Sequence, residues 1–298
     1  MRLFHRIENL ISLKGAAMKK GRGITADDLS IVKDAIVIEN KGRIEWVGSK
    51  SDFKAVQKKY AKAKKISLNA KTVMPTFLEC HTHSLFAGDR TNEFEMRNQG
   101  RTYQEITAAG GGIASTVKAT RAMPEKELLK LTRSRLQEFL AQGVSTVEIK
   151  SGYGLNEKEE IRLLEIIAKL KTFKKGLEVI ATYLGPHSKS PDHNDLDSYF
   201  KEILDSTLSK VAKKKLAERV DIFVENGFFT KAQSEQFLKR SVELGFAITA
   251  HAEQLSRTGA AASYAAQNAV SVDHLVHLND ADIVALAQSQ TTCVLLPA

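Results

Sequence analysis

Short runs of alternating apolar and polar residues dominate the first 75 positions, which is the pattern of half-buried β-strands. Residues 35–39 and 43–48 form two such runs, separated by the turn residues Asn40, Lys41 and Gly42. This arrangement predicts a β-hairpin. Residues 66–74 predict one further strand. We therefore expect a small β-rich domain over residues 1–74, folded as a partial β-sandwich.

The pattern changes at Pro75, after which short apolar runs alternate with helical periodicity. The predicted strands are residues 76–80, 144–149, 177–184, 220–224, 246–250, 270–274 and 291–296. The predicted helices include residues 125–141, 157–173, 195–217, 231–244, 258–268 and 280–288. Asn156 and Thr230 are predicted to cap two of these helices. The alternation indicates a parallel sheet wrapped by helices, which fits both an open doubly wound sheet and a closed barrel.

The positions of the polar residues favour the barrel. No Gly-x-Gly-x-x-Gly motif opens the first helix, and the triplet Gly110, Gly111 and Gly112 falls in a predicted long loop. Polar side chains instead follow the strands at their carboxyl ends, where barrel enzymes build active sites: His81, His83, Lys150, His187, Glu225, His251 and His274. We predict an α/β fold, a metal-dependent hydrolase-type (β/α) barrel over residues 75–298. Only seven strands are found, so we expect the barrel to lack its last strand and helix.

Composition and charge exclude several classes of protein. Hydrophobic residues make up 43% and charged residues 27% of the chain, which argues against global disorder. The net charge is +9. A basic chain can bind nucleic acid or an anionic membrane, but these lysines are scattered over predicted helix surfaces and are not interleaved with aromatic residues. We expect neither a nucleic-acid nor a membrane partner.

The cysteines and the amino terminus indicate the compartment. Cys80 and Cys293 are too few and too far apart for a disulfide framework or a paired-cysteine zinc motif. Residues 1–13 lack the apolar core of a signal peptide. No stretch approaches the roughly 18 apolar residues of a membrane span. We expect a cytoplasmic protein.

Four of the eight histidines follow three predicted strands. His81 and His83 are two residues apart, so in extended backbone both imidazoles face one side and can reach one ion. A lone His-x-His often arises from packing alone. His251 and His274, however, end two further strands on the same rim. Several imidazoles together suit zinc or iron, and such an ion activates water, which makes hydrolysis the natural reaction.

Three further residues are candidate substrate contacts, and each has a structural alternative. Arg90 could bind a carboxylate or form a surface salt bridge. Tyr153, within the segment Lys-Ser-Gly-Tyr-Gly that begins at Lys150, could contact substrate or be exposed on a tight turn. His187 could donate a hydrogen bond to a substrate oxygen or cap the helix that follows.

Several motifs together resemble the imidazolonepropionase family of the amidohydrolase superfamily. They are the region from Pro75 to Asp89 with its His-Thr-His, Gly110-Gly111-Gly112-Ile113 with Ser115-Thr116-Val117, Glu148 to Leu155, Gly185-Pro186-His187, His251-Ala252-Glu253-Gln254 and Asp273-His274-Leu275. The His-x-His motif indicates only the superfamily. The Lys-Ser-Gly-Tyr-Gly segment and the glycine triplet are more specific, and they indicate the imidazolonepropionase family within that superfamily. The resemblance extends from about residue 30 to the end.

The resemblance implies a reaction and a metal centre. Members of the family add water to 4-imidazolone-5-propanoate and open its ring to N-formimino-L-glutamate, a step of histidine degradation. His81, His83 and His251 match metal ligands, which implies one zinc or iron ion per chain. His274 matches a histidine near the attacking water, and Gln254 matches a position that touches the ring. We take His274 and Gln254 as the catalytic candidates.

The same resemblance implies how substrate is bound. Arg90, Tyr153, His187 and Gln254 match substrate-binding positions. Arg90 suits the carboxylate of the propanoate arm, so the expected partner is a small molecule that carries a carboxylate. The family also implies a homodimer.

The sequence departs from the family pattern in two places. Some relatives carry Glu where this chain has Gln254, and an amide cannot take a proton from water. His274 is therefore our candidate for the base. The family also has an Asp ligand after the eighth strand, and this sequence stops before it. Two alternatives stay open: an inactive truncated remnant, and another amidohydrolase acting on a different cyclic amide or a purine-like ring.

Overall fold

The computed structural model divides the chain into two compact units, Met1–Thr76 and Phe77–Ala298. It describes residues 1–102, 105–106, 110–174 and 176–297. The predicted end of the barrel domain, Ala298, lies outside the described residues.

The first unit is built on a four-stranded sheet. Its strands are β1 (Arg2–Ile11), β2 (Ile31–Asn40), β3 (Arg43–Ser49) and β4 (Lys64–Val73), arranged in the order β3-β2-β1-β4. The β2–β3 hairpin and β4 were predicted. Strand β1 was not predicted, although it pairs antiparallel with β2 and parallel with β4. The hairpin is thus one edge of a larger sheet.

An irregularity in β1 explains why the sequence pattern did not predict this strand. The register shifts between Phe4 and Ile7, and the intervening Arg6 has a φ of 56°. The buried residues Leu3, Ile7 and Leu10 are consequently four and three positions apart. That is helical spacing, because a bulge breaks the two-residue period of a strand.

Both faces of this sheet are covered. Ile36 and Ile38 pack on one face with Leu3, and Ala35 and Val37 pack on the other. The unit also contains α1 (Lys14–Met18), a 3₁₀ turn at Ala26–Leu29 and α2 (Lys50–Val56). Successive side chains of β2 therefore enter two small hydrophobic cores in turn, whereas in many antiparallel sheets one face is buried and the other faces solvent.

The second unit contains one curved sheet in which strands that are consecutive in the sequence are neighbours. Its strands are β5 (Phe77–Glu79), β6 (Val144–Lys150), β7 (Glu178–Tyr183), β8 (Arg219–Val220), β9 (Phe223–Val224), β10 (Ala247–Ala252), β11 (Ser271–His274) and β12 (Thr292–Val294). All of these pairings are parallel. The predicted strand at 220–224 occurs as two short pieces, β8 and β9. Within the described residues, β5 and β12 each pair on one side only.

Helices connect these strands. They are α3 (Thr91–Asn98), α4 (Ile113–Ala122), α5 (Glu125–Ala141), α6 (Glu157–Leu170), α7 (Leu196–Glu202), α8 (Leu208–Lys214), α9 (Lys231–Glu243), α10 (Ala260–Ala266) and α11 (Asp280–Gln288). A π-helical turn, Ile203–Thr207, joins α7 to α8. The predicted caps are confirmed: Asn156 accepts from the Glu159 amide and Thr230 from the Gln233 amide. The fold is the predicted incomplete (β/α) barrel with a separate small β-rich unit.

Helix α4 begins where the sequence predicted a long loop. Gly112 has a φ of 70° and directly precedes Ile113, the first residue of the helix. Among the described helices, none is both long enough and apolar enough to cross a membrane.

Candidate metal and substrate site

Four histidines converge at the carboxyl ends of the barrel strands. Nitrogen atoms of His81, His251 and His274 lie within 4.8 Å of one another. The Nε2 atoms of His83 and His251 are 3.3 Å apart. Two imidazole nitrogens bound to one tetrahedral zinc by bonds of about 2.0–2.1 Å would be separated by about 3.3 Å. The spacing of this pair therefore fits a shared metal ion.

Buried carboxylates set the tautomers of two of these histidines. Nδ1 of His81 donates to Asp273 Oδ2 at 2.6 Å, and Nδ1 of His251 donates to Asp221 Oδ1 at 3.0 Å. With the proton on Nδ1, the lone pair of Nε2 is free to bind a cation. A carboxylate behind each metal-binding imidazole is the arrangement that orients such ligands in metalloenzymes.

Lys150 lies beneath the histidines and is fully buried. Its Nζ donates to Asp221 Oδ2 at 2.7 Å and to Glu148 Oε1 at 2.9 Å, and it is 3.7 Å from Asp273 Oδ2. Burial alone would lower the pKa of Lys150, but the charges of Asp221, Glu148 and Asp273 raise it above its ordinary value. Lys150 is therefore a permanent cation.

The pKa values of the carboxyl groups around Lys150 are shifted in different directions. Burial opposes ionisation of Asp221, yet His251 and Lys150 hold its pKa well below its usual range. The pKa of Asp273 is also lowered, because its hydrogen bond to His81 and the charge of Lys150 outweigh burial. Burial raises the pKa of Glu148 despite Lys150. Three buried acidic side chains surround one ammonium, an acidic environment that suits a divalent cation.

Three of the site histidines, His81, His83 and His274, have lowered pKa values. Burial lowers the pKa of His81 to about 4 against the hydrogen bond to Asp273. Burial and the neighbouring His251 lower the pKa of His274 to about 3. The pKa of His83 is lowered well below its ordinary value, mainly by burial. A neutral imidazole is the form that binds a metal, so the lowered pKa values of these three rings suit a zinc or iron site.

His274 occupies strained backbone. Its φ is 79°, and that of the following Leu275 is 60°, a region that side chains with a Cβ seldom adopt. The ring of His274 lies 5.2 Å from that of His81 and 5.1 Å from that of His251. Strain of this kind persists where the surroundings hold the residue, and it concentrates at functional sites.

A cavity of about 540 Å³ lies in front of the histidines. All eight residues predicted for the site line it: His81, His83, Arg90, Tyr153, His187, His251, Gln254 and His274. Arg97, Ile113, Phe223, Leu255 and Leu296 complete the lining. The structure thus brings every predicted residue to one space, while their individual roles stay predictions.

Helices α3 and α4 fix Arg90. The Nε of Arg90 donates to Thr116 Oγ1 at 3.1 Å and lies 4.0 Å from Glu93 Oε2. Glu93 also accepts from the Gly112 amide at 2.8 Å, which ties the start of α4 to α3. Arg90 is therefore held at the cavity wall by its Nε, the nitrogen nearest its aliphatic chain.

Gly152 is required in the segment that carries Tyr153. Its φ is 100°, and a Cβ there would lie 2.9 Å from the Leu184 carbonyl oxygen. Nδ1 of His187 donates to the Gly152 carbonyl at 2.8 Å, and burial lowers the pKa of His187 to about 3. The His187 ring stacks on His83 with centroids 5.1 Å apart. Nδ1 is thus used internally, which leaves Nε2 of a neutral ring for substrate.

Two buried glutamates hold the loop of Gln254. Glu253 accepts from the amides of Gly259 and Ala261 at 2.6 and 3.0 Å. Glu225 accepts from the Leu255 amide at 2.7 Å. Glu225 was predicted only as a polar residue at a strand end, and here it braces the loop. Gln254 is thereby presented to the cavity by a fixed backbone.

The sequence did not predict the roles of the four charged residues behind the histidines: Glu148, Lys150, Asp221 and Asp273. One signal was available: Glu148 and Asp221 each interrupt an apolar strand run, which is costly unless the charge is paired. Their partners could not be read from the sequence, because Lys150 and Asp221 are 71 positions apart.

Comparison with solved structures supports the fold. Guanine deaminase from C. acetobutylicum has a TM-score of 0.62 at 15% identity, over 99% of this chain and 67% of that chain. A mutant atrazine chlorohydrolase from Arthrobacter aurescens, complexed with zinc and atraton, has a TM-score of 0.57 at 14% identity, over 99% and 65%. These likenesses show a fold of the amidohydrolase type, and the histidine cluster lies at the carboxyl ends of its strands.

Sequence comparison identifies the family. The imidazolonepropionase of Bdellovibrio bacteriovorus is 47% identical over 298 residues, which cover 99% of this chain and 69% of that protein. The imidazolonepropionase of Shewanella sediminis is 40% identical over 270 residues, which cover 89% of this chain and 65% of that protein. No family model matches the chain. The chain belongs to the imidazolonepropionase family and spans about two thirds of the length of these relatives.

Proposed function

We propose that this chain hydrolyses 4-imidazolone-5-propanoate to N-formimino-L-glutamate in histidine degradation. The observation that carries the proposal is the single cavity that joins the histidine cluster to Arg90. A metal site alone would fit many hydrolases. A metal site with an arginine on the same wall suits a ring that bears a carboxylate arm.

The proposed metal ligands are His81, His83 and His251, holding one zinc or iron ion per chain. The 3.3 Å separation of the His83 and His251 nitrogens supports a shared ion. A bound divalent ion lowers the pKa of water toward neutrality and polarises a carbonyl. Asp273 and Asp221 accept the Nδ1 protons of His81 and His251, so in the neutral rings the lone pair lies on Nε2, the proposed ligand atom.

Four residues are proposed to bind the substrate. The guanidinium of Arg90 would bind the propanoate carboxylate through its terminal nitrogens. Tyr153, His187 and Gln254 would form hydrogen bonds to ring nitrogens and the ring carbonyl. His187 is neutral and commits Nδ1 to Gly152, so only its Nε2 remains for substrate.

His274 is proposed to take the proton of the attacking water. Oxygen bonds to the ring carbonyl carbon, the carbon–nitrogen bond of the cyclic amide breaks, and the leaving nitrogen receives the proton. Gln254 cannot accept that proton. The depressed pKa of His274 keeps it neutral and able to accept before the reaction.

Two coarser expectations accompany this function. Cys80 and Cys293 form no disulfide in the described part of the chain, which supports the cytoplasm as the compartment. The family resemblance supports a homodimer, which sedimentation of the purified chain would test.

The decisive experiment is turnover of 4-imidazolone-5-propanoate by the purified chain, supplied with zinc or ferrous iron. We expect loss of substrate at an enzymatic rate and formation of N-formimino-L-glutamate. A folded, metal-loaded chain without turnover would overturn the proposal. Turnover of a purine-like ring but not of the imidazolone would instead assign the site to another amidohydrolase reaction.

A further inference from the structure

We propose that Lys150 is a positioning residue that couples the two histidine–carboxylate pairs of the site into one unit. The proposal rests on the metal site proposed above. It assigns to Lys150 the task of fixing the orientation of His81 and His251 together, through Asp273 and Asp221.

The contacts form a continuous chain across the barrel interior. His81 bonds to Asp273, whose same Oδ2 atom lies 3.7 Å from Lys150 Nζ. Lys150 Nζ bonds to Asp221 Oδ2 at 2.7 Å, and the other oxygen of Asp221 accepts from His251. The chain therefore connects β6, β10 and β11 with the segment after β5 and the segment between β8 and β9 through one ammonium group.

The charges explain why this ammonium is needed. Asp221 and Asp273 are fully buried, and an oxygen of each lies within 4 Å of the Lys150 ammonium, at 2.7 Å for Asp221 and 3.7 Å for Asp273. Lys150 is the buried cation in contact with both. Without it, each aspartate would lose a buried partner that holds its carboxyl group in place, and could rotate away from the Nδ1 of its histidine.

If Lys150 only stabilised the fold through its ion pairs, a different result would be expected. Removal of such a pair would lower the melting temperature and leave the folded protein with native metal affinity. A positioning residue alters the affinity itself. Outer carboxylate and ammonium partners typically change metal affinity by about 10- to 100-fold.

The first experiment measures zinc affinity by competition with a chromophoric chelator. We expect Lys150→Met to bind zinc about 10- to 100-fold more weakly. Lys169→Met, which removes a surface lysine that pairs with Glu125, is the matched control and should bind normally. Asp221→Asn should weaken binding, and the double variant should be little worse than either single variant. Native affinity of Lys150→Met, or additive losses, would overturn the proposal.

The second experiment holds even where Lys150→Met fails to fold, because it keeps Lys150. The hydrogen-bonded Nδ1 protons of His81 and His251 are followed by NMR in the metal-free chain. In Asp221→Asn we expect both resonances to shift or broaden, since the two pairs share Lys150. A change confined to His251 would show that the pairs are independent and would sink the proposal. This readout needs no zinc, so it separates failure of the coupling from failure of the proposed metal site.

Discussion

His81 and His251 are specified by what lies behind them as much as by the space they face. Each has its Nδ1 proton accepted by a buried carboxylate, so each presents Nε2 alone. His83 differs, because its Nδ1 is buried without a hydrogen-bond partner in the described part of the chain. The four histidines therefore differ in how they are held. Carboxylates orient His81 and His251, His83 has no hydrogen-bond partner at Nδ1 in the described part of the chain, and His274 lies on strained backbone.

Replacement of Arg90 tests the carboxylate contact. We expect Arg90→Ala to raise KM for 4-imidazolone-5-propanoate by about 10- to 100-fold, because a charged hydrogen bond contributes about 1.5–3 kcal/mol. Steady-state kinetics would measure it. Arg240→Ala removes a surface arginine that pairs with Glu243 and should leave KM unchanged. An unaltered KM in Arg90→Ala would show that the carboxylate binds elsewhere.

Replacement of His251 tests the metal ligands. We expect His251→Ala to lose zinc on dialysis, because a site of few protein ligands cannot spare one. Elemental analysis of the dialysed protein would report the occupancy. The control is His193→Ala, whose ring lies 3.5 Å from Glu202 and is absent from the cavity lining. Full occupancy in His251→Ala would remove His251 from the ligand set.

At the scale of elements, the hydrophobic periodicity of the sequence predicted the regular strands and helices of the barrel. All seven barrel strands and the helices from α5 to α11 were anticipated, with small differences at their ends. Strand β1 was missed because its bulge gives helical spacing, and α4 because the glycine triplet before it indicated a loop. The positions of the site histidines followed from their strands. The buried ion pairs depend on packing between distant strands, which one sequence does not display.

Alanine substitution at two separate glycines tests the close packing of the segment between β6 and α6. Gly152 and Gly227 both have positive φ, but a Cβ at Gly227 would have nothing within 4 Å. We expect Gly227→Ala to cost about 1 kcal/mol of stability from φ alone. Gly152→Ala should cost more and also raise KM, because the clash displaces the segment of Tyr153 and His187. Urea unfolding and kinetics would measure both, and equal costs would contradict the close approach.

At the scale of the whole molecule, the strands of the parallel sheet lie side by side in the order in which they occur in the sequence. Strands β6, β7 and β10 pair on both sides, whereas β5 and β12 pair on one side within the described residues. Leu78 of β5 is 69% exposed and Leu295, just after β12, is 68% exposed.

The one-sided strands have a consequence for amide hydrogen exchange. Local opening costs least where few backbone hydrogen bonds and apolar contacts must be broken. We expect deuterium uptake to be fastest in β5 and β12 and slowest in β7 and β10, and mass spectrometry of peptic fragments would measure it. Uniform protection would contradict this gradient. His81 and His83 follow β5, while His251 lies within β10. As the protein opens, the histidine pair should therefore lose its order before His251 does.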